Sequence, residues 1–260
     1  IMNAFRNHRV SEAMFAPTSG YGYDDKGRDT LDAIWADVMG AEAAFVRHSI
    51  ANGTHALTIG LFGLLRPNDV LLSVTNRPYD TLCEVIGIEG ANGDGSLADF
   101  GVTYDQVDFK DDKIDFEGIE NKLKEYGERV KVVFIQRSKG YLDRPTLTVD
   151  QIGEIASFVH ARSKAYVVVD NCYGELVEKF EPTDVGADLI AGSLIKNAGG
   201  SIARTGGYIA GRADLVELCA YRATTPGLGK EVGCTLGENR NMYMGIFNAP
   251  HVVGQALQAA

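Results

Sequence analysis

Residues 165–175 read Ala165-Tyr-Val-Val-Val-Asp-Asn-Cys-Tyr-Gly-Glu175, an apolar, β-branched run that stops on a carboxylate. A run without polar alternation predicts a strand buried on both faces, as parallel sheets require. Upstream, Thr148-x-x-Gln151 has capping-box spacing in front of Ile152, Ile155, Ala156 and Val159, which share one helical face. A helix therefore leads into the strand Ala165 to Val169. The alternation continues towards the start of the chain. Leu31, Ile34, Trp35, Val38 and Met39 follow an Asp29-Thr30 start as an amphipathic helix, and Ala43 to His48 is strand-like. Thr54 to Leu65 is helical and ends before Pro67, Val70 to Val74 is a short strand, and Tyr79 to Ile88 is a helix. Phe116, Ile119 and Leu123 mark another helix ahead of the strand Val130 to Ile135. Asp188 to Ile195 and Gly206 to Gly211 are the last two strands, before a helix through Leu215, Val216 and Leu218. Repeated crossovers predict an α/β fold with a mostly parallel central sheet covered by helices on both faces.

The chain has 260 residues, enough for one large domain that needs neither disulfide nor metal to hold its core. The boundaries read as an N-terminal arm (1–30), a large domain (31–230) and the start of a helix leading to a further, smaller domain (231–260). Ile1 precedes Met2, and no helix-stop residue follows Val252, so a longer parent protein is expected. A formal charge of -10 without a basic tract argues against nucleic acid and anionic membranes as partners. Cys83, Cys172, Cys219 and Cys234 lack Cys-x-x-Cys spacing, which fits free thiols in a reducing cytoplasm. Gly227 to Gly233 has one residue too many for a dinucleotide loop and follows no strand; a Gly-x4-Gly-Lys loop and a Tyr-x-x-x-Lys pair are both missing. His48 and His55, seven apart, do not form a metal pair on one helix face.

In open α/β sheets, ligands sit beyond the carboxyl ends of the strands. The residues there are Asn52-Gly53-Thr54, Tyr79, Gln136, Asp170 to Tyr173 and Ser193 to Lys196. Separately, Asp170 could be a turn former and Lys196 an exposed lysine. Together they are the two groups that a pyridoxal ring needs: an amine to bond its aldehyde and a carboxylate to keep its ring nitrogen protonated. Gly53-Thr54, at a helix N-terminus, offers backbone N–H groups to a phosphate.

The set Ser19-Gly-Tyr-Gly-Tyr-Asp-Asp-Lys-Gly-Arg28, Gly53-Thr-His-Ala56, Pro78-Tyr-Asp-Thr81, Ile135-Gln-Arg-Ser138, Val169 to Glu175 and Gly192-Ser-Leu-Ile-Lys-Asn197 spans nearly the whole chain. In that order it resembles fold type I pyridoxal-phosphate enzymes, and closely the methionine gamma-lyase-like family known as aluminium resistance proteins. The resemblance implies the large domain of that fold, with one antiparallel strand in its sheet. It also implies pyridoxal 5'-phosphate as cofactor, Lys196 as Schiff-base lysine and Asp170 on the pyridine nitrogen. Gly53, Thr54 and Ser193 would hold the phosphate, with Tyr79 on one face of the ring and Cys172 beneath the other. Gln136 would reach the phenolic oxygen, unless Arg137 or Ser138 does so. The implied reaction is carbon–sulfur elimination on a sulfur-containing amino acid in a homodimer or homotetramer. An aminotransferase, another pyridoxal reaction, or a non-catalytic cofactor-binding protein uses the same scaffold. The Tyr21 to Arg28 segment would reach a neighbouring subunit, but related lyases carry an Arg where this chain has Asp25. Asn52 and Ala198 depart from the family's usual small residue and Pro.

Overall fold

The computed structural model describes residues 1–260. In chain order the elements are α1 (Met2–Asn7), α2 (Lys26–Val38), β1 (Ala43–Arg47), α3 (Gly53–Leu64), β2 (Val70–Ser73), α4 (Asp80–Ile86), β3 (Thr103–Gln106), α5 (Phe116–Tyr126), β4 (Val130–Gln136), α6 (Val149–His160), β5 (Tyr166–Asp170), β6 (Leu189–Ser193), β7 (Gly207–Gly211), α7 (Ala213–Ala223) and α8 (Asn239–Ala259). The strands form one seven-stranded sheet in the order β1-β7-β6-β5-β4-β2-β3. Only β7 opposes its neighbours, running antiparallel to both β1 and β6, so β1, β2, β4, β5 and β6 all end at the same edge of the sheet. That common edge is where the strand-end residues converge.

Strand alternation sorts the core into two layers. Val133, Ile135, Val167, Val169 and Ile190 face the layer containing residues of α2, α5, α6 and α8. Phe134, Val168 and Ala191 face the other layer, with residues of α3, α4 and α7. Two residues beyond this second set lie Gln136, Asp170 and Ser193. Period two therefore directs their side chains to the α3 face, where the N-terminus of that helix lies.

Most of the predicted elements form, with shifted ends. α2 begins at Lys26 because Asp25 caps it, its carboxylate accepting from Arg28 N at 2.9 Å. The capping box of Thr148 and Gln151 forms in full at the start of α6. β3, Thr-Tyr-Asp-Gln, has little apolar signal because it is an edge strand, and all four residues are only partly buried. At the opposite edge, Asp32 accepts from Val46 N and from Arg47 Nη1, both at 2.8 Å. This buried contact occupies part of an edge that would otherwise offer free backbone donors. No helix is long and apolar enough to cross a membrane.

Candidate active site

A cleft of about 220 Å³ opens at the carboxyl edge of the sheet, and its walls include Gly53, Thr54, Tyr79, Gln136, Asp170, Cys172, Ser193 and Lys196. The eight residues that the resemblance assigns to the cofactor thus meet in one place. A larger cavity of about 730 Å³ follows the outer edge of β1, between Tyr23, Arg28, Asp32 and Lys230, and contains none of these eight.

The chain's topology supplies each wall. β4 and β5 pair in register so that Gln136 lies beside Asp170, and Asp170 lies beside Ala191 of β6. Asp170 is buried; one oxygen accepts from Cys172 N at 3.1 Å, and no protein donor meets the other. Burial raises its pKa, while the Cys172 contacts and the charges of Lys196 and Arg144 pull the other way. A carboxylate with one free oxygen, buried in a cleft wall, matches a cationic ring nitrogen. Lys196 follows β6 and is half-buried, with Nζ 4.2 Å from the centre of the Tyr173 ring. Burial pulls its pKa down, but Cys172, Tyr173, Asp170 and Glu175 outweigh that effect and leave it raised. Burial pushes the Cys172 thiol well up, so it packs as a neutral group.

At the start of α3, Asn52 Oδ1 accepts from His55 N at 2.9 Å, while the N–H groups of Gly53 and Thr54 meet no protein acceptor. These two donors and the helix dipole suit an anion. A Cβ on Gly53 would stand 2.8 Å from Cys172 Sγ, so only glycine leaves that corner open. Tyr79 is fixed at the start of α4 by its own N–H, which donates to Gln136 Oε1 at 2.6 Å. Gln136 Nε2 donates to Ser138 O at 3.1 Å. Arg137 points elsewhere, donating to Asn171 Oδ1, Gly174 O and Glu178 Oε1, each at 2.8 Å. Of the three alternatives for the phenolic oxygen, only Gln136 and Ser138 line the cleft.

Thr81 and Tyr173 also line the cleft, and the sequence reading assigns a role to neither. Thr81 is bonded through Oγ1 to Thr54 Oγ1 at 2.7 Å, joining the N-termini of α3 and α4. Its signal was its place in the second position of a helix starting beside the Gly-Thr turn. Tyr173 gave no periodic signal, since it lies in a turn. In the N-terminal arm, Arg28 is buried and bonds Gly22 O and Gly233 O, which leaves stacked Tyr21 and Tyr23 exposed.

The family model for methionine gamma-lyase matches residues 1–260. The chain belongs to the methionine gamma-lyase family. It is 51% identical over 262 residues to the Bacillus subtilis protein YnbB, covering all of this chain and 62% of that protein. A carbon–sulfur lyase involved in aluminium resistance from Clostridium novyi NT is 53% identical and superimposes with a TM-score of 0.95, over 98% of this chain and 61% of that one. A methionine gamma lyase from Micromonospora echinospora, 24% identical with a TM-score of 0.67 over 93% of this chain and 58% of that one, shares the fold. The chain thus spans somewhat under two thirds of the length of these relatives.

Proposed function

We propose that residues 31–230 form the cofactor-binding domain of a pyridoxal-phosphate-dependent carbon–sulfur lyase that acts on a sulfur-containing amino acid. One observation carries this reading: the lone amine of the cleft, Lys196, shares it with the half-satisfied carboxylate of Asp170 and the open N-terminus of α3. The residues fit the cofactor. Lys196 would bond its aldehyde, Asp170 its ring nitrogen, and Gly53, Thr54 and Ser193 its phosphate. Tyr79 and Cys172 would cover the two ring faces, with Gln136 at the phenolic oxygen. When bound, pyridoxal phosphate supplies an electron sink for the carbon beside the substrate's amino group.

The chain's own groups do the rest. Lys196 Nζ takes the proton from that carbon and can return it to the departing sulfur. Asp170, opposite a cation, stays ionised despite its burial. Tyr79, fixed by Gln136, holds the plane of the cleft. The working assembly is a homodimer or homotetramer, a reading supported by the exposed Tyr21 and Tyr23 rings, whose centres lie 5.5 Å apart and outside this chain's own cleft. Four unpaired cysteines support a cytoplasmic setting.

The test uses the full-length protein loaded with pyridoxal phosphate. Borohydride reduction and peptide mass mapping should place the adduct on Lys196, and candidate amino acids should release a thiol. An adduct on Lys139 or Lys230 would remove the basis of the site, and a product amine without thiol release would point to transamination.

A further inference from the structure

Tyr173 occupies a costly position for a tyrosine. Its φ of 68° lies in the left-handed region, which disfavours residues bearing a Cβ, and the residue is 59% exposed, so burial offsets little of that cost. Strain of this kind persists where surrounding structure enforces it, and such positions cluster at functional sites. Here the enforcing group is Asn197, next to the lysine, whose Nδ2 donates to Tyr173 O at 3.1 Å and to Glu175 O at 3.3 Å. The turn is thereby tied to the residue that adjoins Lys196. Its consequence is that the ring of Tyr173 lies 4.2 Å, centre to nitrogen, from Lys196 Nζ. That is within the range in which an aromatic face attracts an ammonium.

We infer that Tyr173 is a positioning residue whose ring face holds Lys196 over the cleft whenever that amine carries a proton, including the proton taken from substrate. The inference rests on the functional reading above. The other titratable groups acting on Lys196 are Asp170, Cys172 and Glu175, from the end of β5 and the turn after it. Across the cleft stand Tyr79 and the neutral Gln136; no Arg or His lines it, and Arg144 acts through Asp170. All of these remain in Tyr173 variants, so a comparison isolates the ring.

The experiment strips the full-length protein of cofactor, adds pyridoxal phosphate across a pH series, and measures capture by Lys196 after borohydride trapping and mass mapping. Capture needs the neutral amine: the ammonium gives its proton to solvent, nitrogen bonds the aldehyde carbon, and the carbonyl oxygen leaves as water. The pH midpoint of capture therefore reports how firmly Lys196 holds its proton. Tyr173→Ala should lower the midpoint by about half a pH unit, and Tyr173→Phe, which keeps the ring, should stay within about 0.2 of wild type. Tyr173→Gly should match the Ala midpoint and melt no lower than wild type, because glycine accepts the left-handed turn. An unmoved midpoint in Tyr173→Ala, or a Phe variant shifted as far as Ala, would overturn the role of the ring. A Tyr173→Gly protein that melts lower than wild type would make the residue structural instead. Any of these results, with the wild-type adduct on Lys196, leaves the functional reading standing; an adduct on another lysine defeats both.

Discussion

At Gly53 the space for one methyl group separates an open helix N-terminus from a filled corner. A Cβ there would lie 2.8 Å from Cys172 Sγ and 3.5 Å from Ser193 Cβ, inside a buried wall with little freedom to move. Gly53→Ala should therefore displace Cys172 and weaken pyridoxal phosphate binding about tenfold, in keeping with the roughly 1–3 kcal/mol typical of overpacking. Adding Cys172→Ala removes the sulfur and should restore most of the affinity; equal losses in the single and double variants, measured by cofactor titration, would show that the contact is not the cause. Asp170 makes a separate prediction. Asn keeps the volume and can still accept from Cys172 N, but it removes the charge that we propose faces the ring nitrogen. Asp170→Asn should retain cofactor and lose about a hundredfold in turnover, the scale of a removed electrostatic contact at a reacting centre. Near-normal turnover would mean that the ring nitrogen needs no carboxylate.

Elements explain why the strand ends were legible and several side chains were not. In β4, β5 and β6 the largely apolar runs state both the strand and its end, and the polar residue that closes each strand is a wall of the cleft. Gln136, Asp170 and Ser193 could thus be found from the sequence. Which of Gln136, Arg137 and Ser138 faces the cleft depends on the phase of the pleat, and that is set by the packing of Phe134 and Val168 on the α3 side. The edge strand β3 and the turn at Tyr173 have no periodic face to read. Capping signals were the clearest local information, and α6 tests their weight. Thr148 Oγ1 accepts from Gln151 N at 3.3 Å, while Gln151 Oε1 accepts from Thr148 N at 3.0 Å. Thr148→Ala should cost about 1 kcal/mol, which lowers Tm by about 2–4 °C in a chain of this size. A calorimetric change below about 1 °C would mean that the core face of α6, with Ile152, Ile155 and Val159 fully buried, holds the helix start without its cap.

Across the whole molecule, the buried acids of the sheet's other face make stability depend on pH in an unusual direction. Glu175 is fully buried behind the cleft; Tyr208 Oη donates to its Oε1 at 3.1 Å, and its Oε2 has no partner. Burial pushes its carboxyl up to about 8, with nearby Glu181 and Asp170 adding to the rise. A carboxyl with a raised folded-state pKa binds its proton in the folded chain at pH values where the unfolded chain has lost it. Its stabilisation is therefore fully present below the unfolded value, near 4.5, and is lost as pH rises towards 8, by at most ~1.4 kcal/mol per pH unit. Glu181 is raised as well and acts in the same direction. His48 opposes them only at lower pH: burial depresses its pKa below 6.5, so the unfolded state gains protons, and stability falls, as pH drops through that range. The lowered acids Asp99, Asp105, Glu120, Asp214 and Glu238 are partly or fully exposed and contribute their modest stabilisation unchanged above about pH 5. Between about pH 6.5 and 8 Glu175 dominates, and Tm should fall steadily. Glu175→Gln preserves an acceptor for Tyr208 and cannot ionise, so its Tm should change less over the same interval and exceed that of the wild type at about pH 8. Parallel Tm curves for the two proteins would show that Glu175 is ionised in the fold, and that an unseen donor satisfies its second oxygen.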